Sequence, residues 1–259
     1  FGLVADCRSF LMEIIPRLSP SKEDDHLKTV QNEKAKGDTA MAKRASIDRS
    51  ADVIHPQSVT SLLSELSEEG DIFTCDTGAV TVWGARHLRL KKDQRFLLSF
   101  NLATMAFAMP AAIGAQLSRP DRRVVSLSGD GGFNMLMGEF LTAVKYQLPI
   151  KVILFNNRRL GLIQMEQEAE GYPEHETDLF NPDYPLLAKS FGAWGESVSD
   201  PRQLENALRR ALEAEGPALL DVHIATSELT WPPKLEFEEA WGFARAKFKE
   251  WFQVEGETR

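Results

Sequence analysis

Short apolar runs separated by amphipathic segments fill the chain from residue 55 onward. The runs VVSL (124–127) and IKVILF (150–155) are rich in β-branched residues, which is typical of strands buried on both faces of a parallel sheet. DIFTC (71–75), RFLLSF (95–100) and ALLDVHI (218–224) predict further strands, and ATMAFAMPAAIGAQL (103–117) predicts an apolar helix bent or interrupted near Pro110. This alternation predicts an α/β fold: a doubly wound, mostly parallel sheet of about six strands with helices on both faces.

The segment between the two central strands has the three- and four-residue spacing of a single helix with an apolar face. That face would consist of Phe133, Leu136, Met137, Phe140, Leu141 and Val144. A strand–helix–strand unit has a right-handed crossover, which brings the carboxyl ends of its parallel strands to one edge of the sheet. We therefore expect Asp130 and Asn157, which follow these strands, to lie close together.

The flanking segments differ in character from this central part. Residues 19–54 are highly charged and predict a partly helical linker, so the main domain is expected at 55–229. FGLVADC predicts a strand leading into a helix that needs an upstream partner, so we interpret the chain, which begins at Phe1, as a piece of a longer one. In the tail, 230–259, one amphipathic stripe is predicted from Trp241, Ala244, Phe248 and Trp251 or Phe252.

Composition narrows the classes of function. The net charge of -8 and the lack of a Lys/Arg stripe argue against a nucleic-acid partner, because such binding depends on neutralising phosphates. Cys7 and Cys75 lack metal-binding spacing, and we interpret them as ordinary thiols in a reducing cytoplasm. No apolar run approaches the roughly 20 residues that span a bilayer.

The turn GDGG, residues 129–132, carries the candidate chemistry. Glycines allow backbone amides to approach a diphosphate at the start of a helix. Asp130 would repel that diphosphate by roughly 4 kcal/mol at about 4 Å and an effective dielectric near 20, so a cation is needed between them. Mg²⁺ prefers oxygen ligands, which Asp130 and the Asn157 amide supply. The alternative is that Asp130 only caps the following helix and GDGG is a tight turn.

GDG followed after about two dozen residues by NN resembles the diphosphate-binding motif of the thiamine diphosphate enzymes. Longer stretches are similar to the bacterial pyruvate oxidases that contain flavin and reduce quinone: FTCDTGAVTVWGARHL (73–88), SFNLATMAFAMPAAIGAQ (99–116), FNNRRLGLIQMEQEAEGY (155–172) and WPPKLEFEEAWGF (231–243). The resemblance implies thiamine diphosphate and Mg²⁺ as cofactors, with FAD in the complete protein. It also implies oxidative decarboxylation of pyruvate or a similar 2-oxo acid, with electrons passing through FAD to quinone or another acceptor.

Individual roles follow from the same resemblance. Asp130, Asn157 and the Arg159 carbonyl are implied as metal ligands. Met105 is implied to lie beneath the cofactor and enforce its bent shape, although a core methionine is the alternative. Glu166 is implied on the substrate side, although it could simply be solvated. Leu162 stands where a bulky aromatic is expected, and the other implied cofactor-binding residues are Asp76, Thr77, Gly78, Ala79, Ala103, Thr104, Gly129, Gly131, Gly132, Leu160, Gly161, Leu162 and Ile163.

The resemblance also implies partners. In this family an N-terminal domain of a neighbouring subunit supplies the activating glutamate and a middle domain holds the flavin, so we expect contacts with the protein's own N-terminal domains and a homo-oligomer, either dimer or tetramer. Residues 1–18 would end the flavin-type domain, with Asp6 at its rim or in a turn. The tail would dock on the parent protein or contact the inner face of the membrane peripherally.

Two departures leave the electron acceptor and the substrate open. FNLATM (100–105) is closer to the phosphate-using oxidases, and Leu162 replaces the expected aromatic. Among enzymes, the nearest alternative is an acetolactate synthase-like carboligase, which has the same cofactor halves. A non-catalytic cofactor-binding or assembly module is the alternative of another class.

Overall fold

The computed structural model describes residues 2–19, 25–46, 51–226, 228, 241–247 and 249. The chain forms two units, and the first, Phe1–Lys43, contains α1 (Cys7–Ile14), a short 3₁₀ helix (Ile15–Arg17) and most of α2 (Asp25–Ala45). The expectation of a strand in FGLVADC was wrong, because its described residues form none before α1. Asp6 instead caps α1 by accepting a hydrogen bond from the Ser9 amide at 2.9 Å.

The second unit, Arg44–Arg259, is a parallel sheet covered by helices. Its strands are β1 (Ile72–Cys75), β2 (Arg95–Leu97), β3 (Val124–Gly129), β4 (Lys151–Asn156), β5 (Trp194–Val198) and β6 (Ala218–His223). Its helices are α3 (Pro56–Leu66), α4 (Ala79–His87), α5 (Ala108–Ser118), α6 (Asp130–Leu136), α7 (Gly138–Lys145), α8 (Gly161–Ala169), α9 (Tyr184–Ser190) and α10 (Leu204–Glu213). All six strands are parallel, in the order β2-β1-β3-β4-β6-β5, which confirms the predicted fold class.

Two apolar cores lie on opposite faces of the sheet, one with α3, α4 and α10 and the other with α5, α6, α7 and α9. The central strands β3 and β4 are buried on both faces, as their apolar runs predict. Their register pairs Gly129 with Phe155. The residues that follow each strand therefore emerge side by side at one edge.

The helix predicted between β3 and β4 is in fact two helices, which separate at Met137 and Gly138. Phe133 and Phe140 from the predicted apolar face are buried, but Leu136, Met137 and Leu141 are exposed. The periodicity thus identified a helical segment but overestimated the width of its buried face.

Two other elements differ from expectation. α5 begins at Ala108, so Pro110 lies in its first turn, where a missing N–H costs no helical hydrogen bond, and does not bend a longer helix. β5 was not predicted at all, because WGESV is polar at its centre. As an edge strand it is only partly buried, with Ser197 exposed, which weakens the apolar signal.

The described part of the tail, residues 241–247, is helical. Trp241 and Ala244 of the predicted stripe are exposed, whereas Phe243 and Ala246, which were not assigned to it, are buried. Phe248, Trp251 and Phe252 lie outside the described residues. Among the described residues, no helix combines the length and apolarity needed to cross a membrane.

We expect Phe140→Ala to lower the free energy of unfolding by roughly 3–5 kcal/mol, because it leaves a cavity in the core. The Phe140 ring is fully buried, with its centroid 6.3 Å from that of Phe133. Urea unfolding followed by circular dichroism measures the change. Leu141→Ala on the same helix should cost about 1 kcal/mol or less, since Leu141 is 48% exposed. Equal losses in the two variants would contradict this packing.

Candidate functional site

A cavity of about 210 Å³ opens at the carboxyl edge of β1, β3 and β4. Most residues implied by the sequence lie in its wall: Asp76, Thr77, Gly78, Ala79, Met105, Gly129, Asp130, Gly131, Gly132, Asn157, Arg159, Leu160, Gly161, Leu162 and Ile163. Three further wall residues were missed by sequence reasoning, namely Val80, Trp83 and Phe155. Ala103, Thr104 and Glu166 were implied but do not line this cavity.

Asp130 and Asn157 are brought together by the adjacent ends of β3 and β4. Asp130 is the first residue of α6, and its Oδ2 accepts hydrogen bonds from the Arg158 amide at 2.7 Å and from Asn181 Nδ2 at 2.8 Å. Asn157 is buried, and its Oδ1 accepts from the Arg159 amide at 3.1 Å. The carboxylate thus joins the two strand ends, beyond any capping of its own helix.

The turn after β4 is fixed from both sides. Arg158 has φ of 57°, in the left-handed region, which reverses the chain directly after Asn157. The Leu160 amide donates to the Thr177 carbonyl at 2.8 Å, and the Leu179 amide donates to the Arg158 carbonyl at 2.9 Å. This bracing holds the backbone carbonyls of the turn in fixed directions.

Glycine is required on the β3 side because the backbone there is closely approached. A Cβ at Gly131 would lie 2.9 Å from Met105 Cε and 3.0 Å from Leu160 Cδ2, and one at Gly132 would overlap Asp76 Oδ2. Both glycines are buried in the cavity wall. A larger residue at either position would therefore clash with these neighbouring side chains, so only glycine fits there.

Asp76 is a buried carboxylate whose importance the sequence did not reveal. Its Oδ1 accepts a hydrogen bond from the Ala108 amide at 2.7 Å, while its Oδ2 is buried and has no partner in the described part of the chain. Burial raises the pKa of Asp76 from its ordinary 3.8 to about 6, against the opposing effect of the Ala108 hydrogen bond. The resemblance implied Asp76 as a cofactor-binding residue but did not indicate that its side chain is the unusual group of this loop.

Ala103 and Thr104 belong to a segment that lies outside the cavity wall and contacts Thr77. The Thr77 amide donates to the Thr104 carbonyl at 3.2 Å, and the Thr104 amide donates to Thr77 Oγ1 at 2.9 Å. Ala103 adopts φ of 53°, another left-handed position. These residues therefore position Thr77 in the wall and do not enter the wall themselves.

Of the remaining implied residues, Met105 and Leu162 lie in the cavity wall and Glu166 does not. Met105 packs closely against Gly131 in the wall, and Leu162 enters the wall from the first turn of α8. Glu166, one turn further along α8, is exposed and outside the wall. The Trp83 ring stacks on Phe155 with centroids 5.9 Å apart and forms an apolar part of the wall. Trp83 could have been found from its i,i+4 spacing from Ala79 on α4.

The oxygen donors of this cavity suit a hard cation that is coordinated by phosphate oxygens as well as by the protein. In the described ranges, no three His, Cys, Asp or Glu side chains lie close enough to hold a metal ion, so neutral oxygens would have to contribute. Burial raises the pKa of Asp130, and a cation beside it would favour the charged form. One carboxylate, one amide oxygen and one backbone carbonyl, with phosphate oxygens, are ligands of the kind that Mg²⁺ binds.

The fold and this cavity define an α/β cofactor-binding domain, with glycines and oxygen donors converging on a pocket at the carboxyl edge of a parallel sheet. Residues 76–222 match the family model described as thiamine pyrophosphate enzyme, C-terminal TPP binding domain. The chain belongs to this family.

Similar curated proteins extend this result. The chain is 36% identical over 260 residues to the putative thiamine pyrophosphate-containing protein YdaP of Bacillus subtilis (strain 168), covering 97% of this chain and 43% of that protein. It is 38% identical over 188 residues to the acetolactate synthase isozyme 2 large subunit of Escherichia coli (strain K12), covering 71% of this chain and 34% of that protein. The acetolactate synthase of Bacillus subtilis (strain 168) is 34% identical over 181 residues, with 70% and 32% covered.

The chain thus spans less than half the length of these relatives. Two of the three are acetolactate synthases, so they favour the carboligase alternative over the oxidase implied by the motifs.

We expect Asp76→Asn to change the pH dependence of stability of the metal-free chain. The folded pKa of about 6 lies above the ordinary 3.8, so the folded state binds the proton more tightly and loses stability as pH rises from about 4 to 6. The variant lacks this loss and should gain up to about 3 kcal/mol relative to wild type between pH 4 and pH 7. Urea unfolding at both pH values measures the difference.

Asp121→Asn is the matched control, because Asp121 is exposed and paired with Arg119. It should not reproduce this relative gain. If Asp76→Asn follows the wild-type pH profile, the Asp76 carboxyl has an ordinary pKa and the assigned burial effect is wrong.

Proposed function

We propose that this chain binds Mg²⁺ and thiamine diphosphate and forms the cofactor-binding part of an enzyme that acts on a 2-oxo acid, with acetolactate synthase-type carboligation as the leading reaction. The observation that carries the cofactor assignment is the convergence of Asp130, the two glycines and the Asn157 turn on one cavity. The sequence identity to two acetolactate synthases supports this choice of reaction.

The residues present would divide the binding of the cofactor between them. Asp130, Asn157 Oδ1 and the Arg159 carbonyl would hold Mg²⁺, and the backbone of Gly131 and Gly132 would receive the diphosphate. When bound, thiamine diphosphate supplies a carbon nucleophile that adds to the 2-oxo group and accommodates the electrons released on decarboxylation.

Other wall residues would shape the surroundings. Met105 would support the cofactor from below and restrict its conformation. The stacked rings of Trp83 and Phe155 would exclude water from the inner wall. Asp76 would hold a proton on Oδ2 up to about pH 6, because burial raises its pKa to about 6.

A pyruvate oxidase-type reaction is the second candidate. The similarity of residues 99–116 and 231–243 to flavin-containing oxidases favours it. This reaction would require FAD and a quinone or another electron acceptor. The exposed position of Glu166 does not support a direct role for that residue in either reaction.

The partners are also proposals. Phe100, Leu102 and Phe180 are exposed large apolar side chains, the last two at 92%, on segments beside the cavity. Other domains of the complete protein and a second subunit would cover them. A cytoplasmic location and a peripheral membrane contact of the tail stay predictions.

Product analysis of the full-length parent protein given pyruvate, Mg²⁺ and thiamine diphosphate tests the reaction. Carboligation converts two pyruvate molecules into one acetolactate and one CO₂ without an electron acceptor. We expect acetolactate under these conditions. If acetate or acetyl phosphate appears, and only when quinone, oxygen or phosphate is added, the oxidase assignment would be favoured over the carboligase. Cofactor binding without turnover of any 2-oxo acid would favour a non-catalytic module.

We expect Asp130→Ala to weaken Mg²⁺-dependent binding of thiamine diphosphate at least about 100-fold, because the metal loses its one charged protein ligand. Isothermal titration calorimetry of the assembled parent protein, with and without Mg²⁺, measures this. Glu166→Gln is the control and should stay within about twofold of wild type, since Glu166 lies outside the wall. Unchanged affinity in Asp130→Ala would overturn the metal-ligand assignment.

A further inference from the structure

The loop at residues 103–107, which leads into α5, carries Met105 and has an unfavourable backbone conformation. Ala103 and Ala106, on either side of Met105, have φ of 53° and 67°, in the left-handed region that alanine seldom adopts. Such residues persist only where the surrounding structure holds them. The loop forms no helix or strand of its own, so its conformation depends on contacts with other segments.

Burial alone does not fix the position of Met105. Its side chain is 36% exposed in the cavity wall. Three side-chain carbons surround the point that a Cβ on Gly131 would occupy: Met105 Cε at 2.9 Å, Leu160 Cδ2 at 3.0 Å and Leu179 Cδ1 at 3.2 Å. These contacts restrict the end of the Met105 side chain, whereas the loop backbone determines where the side chain starts.

The end of β1 holds both ends of this loop. At the first end, the Thr77 amide donates to the Thr104 carbonyl at 3.2 Å, and the Thr104 amide donates to Thr77 Oγ1 at 2.9 Å. At the second end, the Ala108 amide donates to Asp76 Oδ1 at 2.7 Å, and Thr74 Oγ1 donates to the Ala108 carbonyl at 2.8 Å. Both backbone groups of Thr104 and both of Ala108 are therefore bound by one strand end.

Asp76 also sets the loop against the glycine turn. A Cβ on Gly132 would overlap Asp76 Oδ2 and would lie 3.3 Å from the Ala106 amide nitrogen. The carboxylate and the left-handed Ala106 thus pack on the same glycine. A residue that only capped α5 would not need this second contact, which ties the loop to the turn that follows β3.

We propose that Asp76 and Thr77 are positioning residues, which clamp the two ends of residues 104–108 and so hold Met105 against Gly131, where it would support the cofactor. The role of Met105 rests on the proposed function, whereas the clamp is a property of the ligand-free protein. A side chain that restricts the conformation of a ligand is effective only if its own position is fixed in advance.

Methyl NMR of the assembled parent protein, labelled with ¹³C in the methyl groups of methionine and leucine, tests the clamp without a cofactor. Met105 Cε and Leu160 Cδ2 lie beside the same point at Gly131, so we expect a nuclear Overhauser effect between these methyl groups in wild type. Met105→Ile and Leu160→Ile identify the two signals by their disappearance. Asp76→Ala and Thr77→Val should each lose most of this effect, because each removes a side-chain hydrogen bond from one end of the loop.

Two further variants are controls. Asp76→Asn should keep the effect, since its side-chain carbonyl still accepts the hydrogen bond from the Ala108 amide. Asp183→Ala should also keep it, because Asp183 caps α9 by accepting from the Leu186 amide at 2.8 Å and lies outside the cofactor cavity. The other methyl signals show whether each variant is folded, and Thr77→Val decides the test if Asp76→Ala is not.

Saturating thiamine diphosphate with Mg²⁺ then tests what the clamp does for the ligand. In wild type the aromatic rings of the cofactor should shift the Met105 methyl signal, whereas inorganic diphosphate with Mg²⁺, which lacks the rings, should not. This shift should be smaller in Asp76→Ala and Thr77→Val and should be restored in Asp76→Asn.

The inference is overturned if Asp76→Ala and Thr77→Val keep the wild-type effect between Met105 and Leu160, or if Asp183→Ala loses it equally. Loss in only one of the two folded variants would exclude a clamp that acts at both ends. Loss in Asp76→Asn would exclude the hydrogen bond as the means of positioning. Failure of wild type to bind thiamine diphosphate would instead overturn the proposed function, and the ligand-free measurement would still decide whether the clamp exists.

Discussion

The pair of hydrogen bonds accepted by Asp130 Oδ2 is the interaction on which the rest of the site depends. It joins the end of β3 to the turn after β4 and, through Asn181, to the segment before α9. Parallel neighbours place the two strand ends at one edge, and the carboxylate joins the turn to the start of α6. It acts together with the hydrogen bonds between Leu160 and Thr177 and between Leu179 and Arg158, which hold the same turn.

The fold and much of the cavity could be predicted because their signals are local. The runs that form β3 and β4 are buried on both faces, and GDGG with the later NN marks the two ends that meet. β5 and the break at Met137 escaped prediction, because an edge strand and a partly exposed helix depend on tertiary burial that the periodicity does not encode. The unpartnered oxygen of Asp76 could not be anticipated either, since its isolation is set by Ala108 and Gly132 from distant parts of the chain.

Two buried carboxyl groups in one cavity destabilise the fold when they are charged, and they are available for binding. Burial raises the pKa of both Asp76 and Asp130, so each is less favourable in its charged form than it would be in water. Groups perturbed in this way within a cleft are typical of functional sites. A divalent cation would reverse the balance for Asp130, whereas Asp76, whose Oδ1 is already held by Ala108, can retain a proton on the other oxygen.

Different parts of the cavity wall differ in how tightly the fold constrains them. Asp130, Gly131, Gly132 and Asn157 are buried and constrained by backbone contacts, so a change there would disturb the fold as well as the ligand. Leu162 and Ile163 begin α8, where side chains are partly exposed and can vary without strain. A carboligase and an oxidase could thus share the first set and differ in the second.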